Sequence, residues 1–295
     1  MIESRDTEPF DARTAADLIA RALDEDVGGG DMTTLATVPA GTRMAGTIIA
    51  REEGVVAGLP VAELVFRALD PEVAFVAHAV EGEAVSAGAA LAAIEGDARA
   101  LLTAERTALN FLGRLSGIAT LAARCAAAVA GTSAVVVDTR KTTPGLRALE
   151  KYAVRVGGAR NHRFGLDDGV LIKDNHIKSA GGIAAAVAGA RRHAPHLLRI
   201  EVECETAGEV HQALDAGADV IMLDNMTPAD LRACVGIVRE RAPRTLIEAS
   251  GGIGTDPMRL REVATTGVDL ISLGALTHSA PNFDVALEFT DPATP

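Results

Sequence analysis

Two stretches, GADVIML at residues 217–223 and GVDLISL at residues 267–273, repeat one pattern that decides the fold. In each stretch a glycine ends a helical segment, and an aspartate leads into a short apolar run typical of a buried strand. Four similar apolar runs occur elsewhere in the chain. The six runs together are 135–137, 170–172, 198–202, 220–223, 246–247 and 270–273. Helical patterns separate the runs. Alternating strands and helices predict a parallel sheet covered by helices.

The length of the repeating region limits the kind of sheet. Residues 135–276 make 142 residues, well short of the roughly 250 that an eight-unit barrel needs. We therefore predict an incomplete, TIM-like α/β barrel of six or seven units. Residues 1–98 lack this rhythm and mix helical with strand-like patterns, so they predict a second, α/β domain.

Local signals set the expected helix limits. Residues 9–11 are expected to open an amphipathic helix, and residues 99–130 to form one long helix. In that long helix Gly113 and Gly117 predict close contact with another helix. Helix starts are expected at Thr143-Pro144, Thr227-Pro228 and Asp256-Pro257, and as a capping box at Thr206 and Glu209. A series spaced by four is interpreted as a solvated stripe: Arg147, Lys151 and Arg155.

Composition excludes several classes of protein. The net charge of −12 and the absence of tryptophan argue against a nucleic-acid binder. No run of 18 apolar residues lacks a charge or a breaker, so no membrane span is expected. The charged N-terminus predicts no secretory signal, and three widely spaced cysteines fit a reducing compartment. We expect a cytoplasmic protein.

The positive charge is concentrated in one segment of this acidic chain. Residues 140–173 carry eight lysines and arginines and one histidine, opposed by few acidic side chains. Such a local excess predicts that the segment binds a small anion.

Polar side chains follow each apolar run in turn. They include Asp138-Thr139-Arg140-Lys141, Lys173-Asp174-Asn175-His176, Glu201 with Glu203 and Glu205, Asp224-Asn225, Glu248 to Gly252, and Gly274. The carboxyl ends of parallel strands meet at one edge of a sheet, and α/β barrels place their active sites there. The sequence therefore predicts one convergent site.

The residue types suggest a division of roles within this site. Positive charge for a carboxylate or a phosphate comes from Arg140, Lys141, Arg163 and Lys173. Backbone amides bare of side chains at Ser250-Gly251-Gly252 and Gly274 suit a phosphate. Glu203 and Asp224 suit ribose hydroxyls or a Mg²⁺ ion that arrives on a phosphate. No metal site built by the protein alone is expected.

Several longer motifs stand out: DTRKTTPGLR at residues 138–147, LEKYAV at 149–154, NHR at 161–163, LIKDNHI at 171–177, ERTALNFLGRLSGIAT at 105–120, and shorter stretches around residues 30–34, 202–205, 222–225 and 250–253. Together they closely resemble the quinolinate phosphoribosyltransferase family. The likeness spans most of the chain. One departure is Ala159, where the family pattern predicts a third glycine; it affects the expected conformation of that loop.

The resemblance implies a role for each matching residue. The two quinolinate carboxylates would be held by Arg140, His162, Arg163 and Lys173, with Lys141 and Thr139 in the same substrate pocket. Phosphoribosyl pyrophosphate would be held through its ribose and its Mg²⁺ by Glu203 and Asp224, and through its 5′-phosphate by Ser250, Gly251, Gly252 and Gly274. Arg106 would reach the site of the other subunit in a dimer. Lys173, Arg140, Glu203 and Asp224 are the expected catalytic residues.

The resemblance also implies a fold and a reaction. The fold would be an N-terminal α/β open sandwich over residues 1–115, rejoined by 277–295, and the incomplete barrel over 116–276. The enzyme would be a glycosyltransferase that converts quinolinate and phosphoribosyl pyrophosphate into nicotinate mononucleotide, pyrophosphate and CO₂, in NAD biosynthesis. It would be at least a homodimer, with neither nucleic acid nor membrane as a partner.

Other functions fit the same residues. One is a phosphoribosyltransferase for another pyridine or small base, or a molybdenum-associated homologue. A second is a Schiff-base lyase that uses Lys173 as its nucleophile. A third is an anion sensor without catalysis, which would tolerate loss of Glu203 and Asp224.

Overall fold

The computed structural model describes residues 12–290, which divide into two compact units. The first unit takes residues 12–123, 143–158 and 279–290, and the second takes residues 124–142 and 159–278. The helix opening expected at residues 9–11 lies outside the described residues. The domain limits expected from the sequence stay a prediction.

Helices and strands alternate along most of the described chain. The helices are α1 (Ala12–Val27), α2 (Met32–Thr37), α3 (Leu59–Leu69), α4 (Ala98–Val129), α5 (Arg147–Val156), α6 (Asp174–Ala180), α7 (Ile183–His193), α8 (Ala207–Asp215), α9 (Pro228–Arg241), α10 (Pro257–Ala264) and α11 (Ala275–His278). The strands are β1 (Arg43–Ala50), β2 (Gly54–Val55), β3 (Ala74–Ala77), β4 (Ala84–Val85), β5 (Ala90–Asp97), β6 (Val135–Val137), β7 (Val170–Ile172), β8 (Ile200–Cys204), β9 (Val220–Asp224), β10 (Leu246–Ser250), β11 (Leu270–Ser272) and β12 (Val285–Phe289).

The first unit is built on an antiparallel sheet in the order β12-β1-β5-β3. Strand β1 pairs with β12 from Gly46 opposite Phe289 to Ala50 opposite Val285. On β1, Ile48 and Ala50 are buried, as the two-residue period of a strand with one covered face requires. Mixed helices and strands in this part of the chain are therefore confirmed.

Helix α4 confirms the long helix expected at residues 99–130, but its glycines do not receive another helix. A Cβ atom at Gly113 would come within 2.8 Å of the carbonyl oxygen of Phe283, and one at Gly117 would overlap the carbonyl oxygen of Pro281. The Phe283 amide donates to the Gly113 carbonyl at 2.9 Å. The expected helix contact is wrong: an extended backbone segment lies here instead, and only glycine leaves it room.

By length and composition α4 is also apolar enough to cross a membrane. Within its most apolar window, 61% is buried inside the protein. Burial of this kind is the pattern of a core helix, so the apolar surface of α4 is used for packing.

The second unit contains six parallel strands in the order β6-β11-β10-β9-β8-β7. Strand β6, the first of the six along the chain, pairs with β11, the last, as the first and last strands of a closed barrel do. Strands β6 and β7 lie at the two ends of the strand order, so the barrel is open between them. Next to β6, Val137 forms a single parallel bridge with Arg160. The six apolar runs predicted as strands are thus confirmed, as is the incomplete α/β barrel.

Most of the predicted helix starts are confirmed. Thr206 and Glu209 form the capping box at α8, and Thr227 and Asp256 accept backbone hydrogen bonds at the starts of α9 and α10. The start expected at Thr143 is wrong, because α5 begins at Arg147. The Thr143 hydroxyl and amide donate instead to the carboxylate of Glu150, at 2.8 and 3.0 Å.

The solvated stripe expected on α5 is also wrong. Lys151 is 1% exposed, and Arg147 and Arg155 are half-buried. Helix α5 belongs to the first unit, although its sequence neighbours belong to the second. It is therefore covered on most sides, and Glu150 beside Lys151 is fully buried.

Candidate active site

The functional side chains of the second unit lie where its strands end. Lys173 follows β7, Glu203 lies near the end of β8, Asp224 ends β9, Ser250 ends β10 and Gly274 comes two residues after β11. Because all six strands run parallel, these ends share one edge of the sheet. The convergence predicted from the sequence is thus built by the strand order itself.

A cavity of about 310 Å³, the mouth cavity, opens at this edge. It is lined by Thr139, Arg140, Lys141, His162, Arg163, Leu171, Lys173, Met222, Glu248, Ser250 and Ser272. All of the cations assigned to quinolinate from the sequence are in this list. The mouth cavity therefore carries a concentrated positive charge, as an anionic substrate requires.

Two guanidinium groups stand close together in the mouth cavity. Partial burial lowers the pKa of Arg163, and the like charge of Arg140 lowers it further. Such proximity is unfavourable without an anion, and two planar forks are well suited to bidentate carboxylate binding. One Arg163 nitrogen, Nη1, donates to the carbonyl of Gly169 at 3.0 Å, which fixes the direction of the side chain.

Lys173 forms an ion pair with Glu203, with 2.7 Å between Nζ and Oε2. Lys173 is 48% exposed in its side chain and Glu203 only 11%. The pair joins the cationic part of the site to the carboxylate part. Glu203 is placed beside Lys173 rather than in the lining of the mouth cavity.

Glycines at two strand ends leave room that side chains would fill. Gly251 and Gly252 have φ values of 79° and 61°, a region that other residues adopt only under strain. A Cβ at Gly251 would come within 2.7 Å of Asp224 Oδ1 and would overlap Asn225. At Gly274, a Cβ would lie 2.8 Å from Cδ of Lys141. These close approaches join the Ser250-Gly251-Gly252 loop to the residues around it.

Asn225 is the non-glycine residue with positive φ, 55°, within the described chain. Its amide group donates to the neighbouring Asp224 carboxylate. Strained backbone of this kind persists where the surroundings fix it and is concentrated at functional sites. This position directly follows Asp224, the last residue of β9.

The donor chemistry of Glu203 and Asp224 fits a hard divalent cation. Both are carboxylates on neighbouring strands, and Mg²⁺ is usually bound through one or two carboxylates together with substrate phosphates. A pair of carboxylates on neighbouring strands matches that partial shell. They would complete it only with a phosphate-bearing substrate.

The sequence reasoning missed a buried cluster beneath the mouth cavity, formed by His162, Glu201 and Glu248. Nε2 of His162 lies 3.1 Å from Glu201 Oε2 and 3.5 Å from Glu248 Oε2. Glu248 is completely buried and Glu201 is 7% exposed. A usable signal existed, because residues two apart on a strand share a face. If Glu203 faces the site, Glu201 faces the barrel interior one layer below.

The two carboxylates decide the charge of the imidazole. Burial by itself lowers the pKa of His162, but the contacts with the charged side chains of Glu201 and Glu248 outweigh it and raise the pKa to about 10. The backbone amide of Arg163 lies 2.7 Å from Nδ1, a contact that favours the neutral ring. The attraction of two carboxylates at 3.1 and 3.5 Å exceeds the roughly 1 kcal/mol that one neutral hydrogen bond contributes. The two carboxylates therefore favour the charged ring.

The same cluster has the spacing of a metal site. Its ligand atoms all lie within 4.8 Å of one another. A transition metal, however, binds a ring nitrogen that has lost its proton. The raised pKa of His162 favours a proton on Nε2, so a metal would have to displace that proton in order to bind there.

Carboxylates also fix the loop that carries His162. Asp138, fully buried at the end of β6, accepts hydrogen bonds from the His162 amide at 2.8 Å and from the Asn161 side chain at 2.6 Å. Asp168 accepts from the amides of Phe164 and Gly165. The loop is thus anchored at both ends, although Ala159 stands where the family pattern predicts a glycine.

Arg106 is exposed on α4 and belongs to the first unit. Its place in the site of a second subunit stays a prediction.

An incomplete α/β barrel with a cation-lined mouth, a glycine loop and a carboxylate pair defines a barrel enzyme for anionic substrates. The family model described as "Quinolinate phosphoribosyl transferase, N-terminal domain" matches residues 31–116. The model described as "Quinolinate phosphoribosyl transferase, C-terminal domain" matches residues 118–288. The chain therefore belongs to the quinolinate phosphoribosyltransferase family.

Named relatives agree with this family. The carboxylating nicotinate-nucleotide pyrophosphorylase of Mycobacterium leprae is 45% identical over 95% of this chain and 98% of its own. A probable carboxylating nicotinate-nucleotide pyrophosphorylase of Synechocystis sp. is 45% identical over 90% of this chain and 89% of its own. The solved nicotinate-nucleotide pyrophosphorylase of Francisella tularensis is 36% identical, covers 96% of this chain and 99% of its own, and has a TM-score of 0.89.

Proposed function

We propose that the protein transfers the phosphoribosyl group of phosphoribosyl pyrophosphate to quinolinate, with loss of CO₂, and so forms nicotinate mononucleotide for NAD biosynthesis. The observation that carries the proposal is the mouth cavity, where the side chains of Arg140, Lys141, Arg163 and Lys173 meet. Four cations around one small cavity suit a pyridine with two adjacent carboxylates better than a monoacid.

Quinolinate would bind through these cations. Arg140 and Arg163 would each grip a carboxylate, and Lys173, His162 and Lys141 would complete the positive field. Thr139 would add a hydroxyl contact. The proximity of the two guanidinium groups, which lowers the pKa of Arg163, supports this assignment because a dianion would relieve their repulsion.

Phosphoribosyl pyrophosphate would lie beside quinolinate. Its 5′-phosphate would bind the bare backbone of Ser250, Gly251, Gly252 and Gly274, and its ribose hydroxyls would bind Glu203 and Asp224. These two carboxylates would also hold the Mg²⁺ that accompanies the pyrophosphate. When bound there, Mg²⁺ supplies charge neutralisation for the leaving pyrophosphate.

The protein would act by positioning and electrostatics rather than as a nucleophile. The pyridine nitrogen attacks the anomeric carbon of the ribose while the carbon–oxygen bond to pyrophosphate breaks. Holding the two reactants in line lowers the barrier by several kcal/mol or more. The ribosylated ring is cationic, so the bond to the adjacent carboxylate then breaks, CO₂ leaves, and a proton takes its place. Lys173 would stabilise the electron pair left on the ring carbon.

The assembly and location are also part of the proposal. We infer at least a homodimer in which Arg106 of one subunit reaches the mouth cavity of the other, and a cytoplasmic enzyme. The exposure of Arg106 on α4 and three buried free thiols support these inferences.

One experiment tests the proposed reaction directly. The protein is mixed with Mg²⁺, phosphoribosyl pyrophosphate and quinolinate, and CO₂, pyrophosphate and the mononucleotide are measured. Equal amounts of the three products are expected. Faster turnover of nicotinate than of quinolinate would favour a transferase for another base. Trapping of a substrate adduct by borohydride would favour a Schiff-base lyase, and binding without pyrophosphate release would favour a sensor.

A further inference from the structure

Two buried carboxylates, Glu201 and Glu248, have no place in the proposed reaction. We propose that they are positioning residues that hold His162 beneath the mouth cavity as a permanent cation for the substrate dianion. The inference rests on the proposed function, since the dianion is quinolinate. It assigns a task to two strand-end carboxylates that the proposed reaction leaves without a role.

The first argument is geometric. Glu201 lies on β8 and Glu248 on β10, and both reach the same imidazole nitrogen, at 3.1 and 3.5 Å. His162 itself comes from the loop after the Arg160 bridge to β6. The cluster thus ties three separate parts of the barrel to one ring, which is a stronger constraint on that ring than any single bond.

The second argument concerns hydrogen-bond partners. Oε1 of Glu201 and both oxygens of Glu248 are buried without a hydrogen bond. A buried carboxylate that lacks hydrogen bonds needs a positive charge nearby. The charge nearest to both is the His162 ring, so the carboxylates and the cation depend on one another.

The third argument is the position of the ring between two cavities. His162, Arg163 and Glu248 line the mouth cavity and also a second cavity of about 360 Å³ that reaches the opposite ends of the strands. Glu201 lines the second cavity but not the mouth cavity. The cluster is therefore the floor of the mouth cavity, with the cation at the level where the substrate would rest.

Charged groups of both signs surround the ring from every neighbouring element. They are Glu201 from β8, Glu248 from β10, Asp138 and Arg140 from the segment after β6, Arg163 and Asp168 from its own loop, and Lys141 and Lys173 at the mouth. Of these, only Glu201 and Glu248 contact Nε2 in the described structure. They are therefore the groups that set the charge of the ring.

A consequence for pH follows. A raised pKa means that the ring keeps its proton until the pH passes the raised value, so the cation persists through the neutral range where an ordinary histidine loses it. The pKa of about 10 for His162 is consistent with this. Without the carboxylates, burial alone would lower the pKa, and the ring would be neutral at pH 8.

The test combines histidine spectroscopy with kinetics. The His162 ring is followed by NMR in the wild-type protein, in Glu201→Gln, in Glu248→Gln and in the double variant. The control is Glu240→Gln, which removes an exposed carboxylate on α9. The wild-type and control rings should not titrate between about pH 6 and about pH 8.5, whereas the double variant should titrate at or below the ordinary value of about 6.5.

The kinetic result should follow the spectrum. At pH 8 the double variant should show a KM for quinolinate about tenfold or more above wild type, with the KM for phosphoribosyl pyrophosphate little changed. Once the pH falls below the pKa that NMR gives for the ring of the double variant, the KM for quinolinate should recover. A purely structural role would raise both constants at both pH values, and that pattern would overturn the proposal.

The outcome stays separate from the proposed function. A wild-type His162 signal that titrates near the ordinary value overturns this inference without any variant, even if quinolinate is turned over. Absence of turnover in the wild type overturns the proposed function instead, and the histidine titration still reports whether the carboxylates hold the cation.

Discussion

Replacement of Lys173 by alanine tests the cationic mouth most directly. The lysine would supply one charge-assisted hydrogen bond to a quinolinate carboxylate, and such a bond contributes roughly 1.5–3 kcal/mol. Its loss also leaves Glu203, 11% exposed, without its partner. At about 6 Å and an effective dielectric constant of about 20, that carboxylate would repel the substrate by about 3 kcal/mol.

Together these effects predict a loss of at least about 10²-fold in kcat/KM for quinolinate, since about 1.4 kcal/mol is a factor of ten. The fold should remain, because Lys173 is 48% exposed and exposed ion pairs contribute about 1 kcal/mol or less to the free energy of unfolding. Arg140→Ala should lose at least as much activity. The assay is CO₂ release from carboxyl-labelled quinolinate at saturating phosphoribosyl pyrophosphate, with thermal unfolding measured in parallel.

Lys178→Ala is the matched control. Lys178 lies on α6, is 72% exposed and pairs with Asp174 at 2.9 Å. Its replacement removes the same charge as Lys173→Ala, but five residues further along the chain. Its kcat/KM should stay within about threefold of wild type. Near-normal turnover in both Lys173→Ala and Arg140→Ala would refute the assignment of the mouth cavity to the diacid.

Three further predictions concern single positions. Gly251→Ala should raise the KM for phosphoribosyl pyrophosphate about tenfold or more, since the new Cβ would displace Asn225; an unchanged KM would contradict the phosphate assignment. Gly117→Ala should lower the free energy of unfolding by about 1–3 kcal/mol in denaturant titrations, whereas Gly236→Ala, in open space on α9, should not lower it. Burial raises the pKa of Glu81, so wild-type protein should lose stability as pH rises from about 4.5 towards neutrality, while Glu81→Gln should lose less; parallel pH profiles would rule this out.

The barrel strands were predictable because their signals are local. The runs at residues 135–137 and 170–172 match β6 and β7 residue for residue, since short β-branched runs bounded by turn residues leave few alternatives. The same holds for the caps at Thr206 and Asp256, where one side chain and one backbone amide decide the helix start.

Helix α5 was not predictable in the same way. Its alternating charges satisfy the pattern of an exposed helix, yet Lys151 is buried. Its burial depends on packing within the first unit, to which the chain returns after the 19 residues of the second unit at 124–142. No window of sequence contains that long-range information.

The residues of the site also divide into those that local sequence signals predict and those that depend on long-range contacts. Side chains at strand ends, such as Arg140 and Asp224, follow from the parallel order of the strands. The cluster of His162, Glu201 and Glu248 depends on distances across the barrel, between β8 and β10. Sequence reasoning found each of the three residues, but not the contact that joins them.

The pairing of β12 with β1 has a consequence for biosynthesis. Residues 43–50 leave the ribosome early, whereas their edge partner, residues 285–289, is made after the whole barrel. At roughly 5–20 residues per second, the early strand waits on the order of 10–50 s with one open edge. Open edges recruit other strands, so a nascent chain of this protein should depend on chaperone shielding until translation is almost complete.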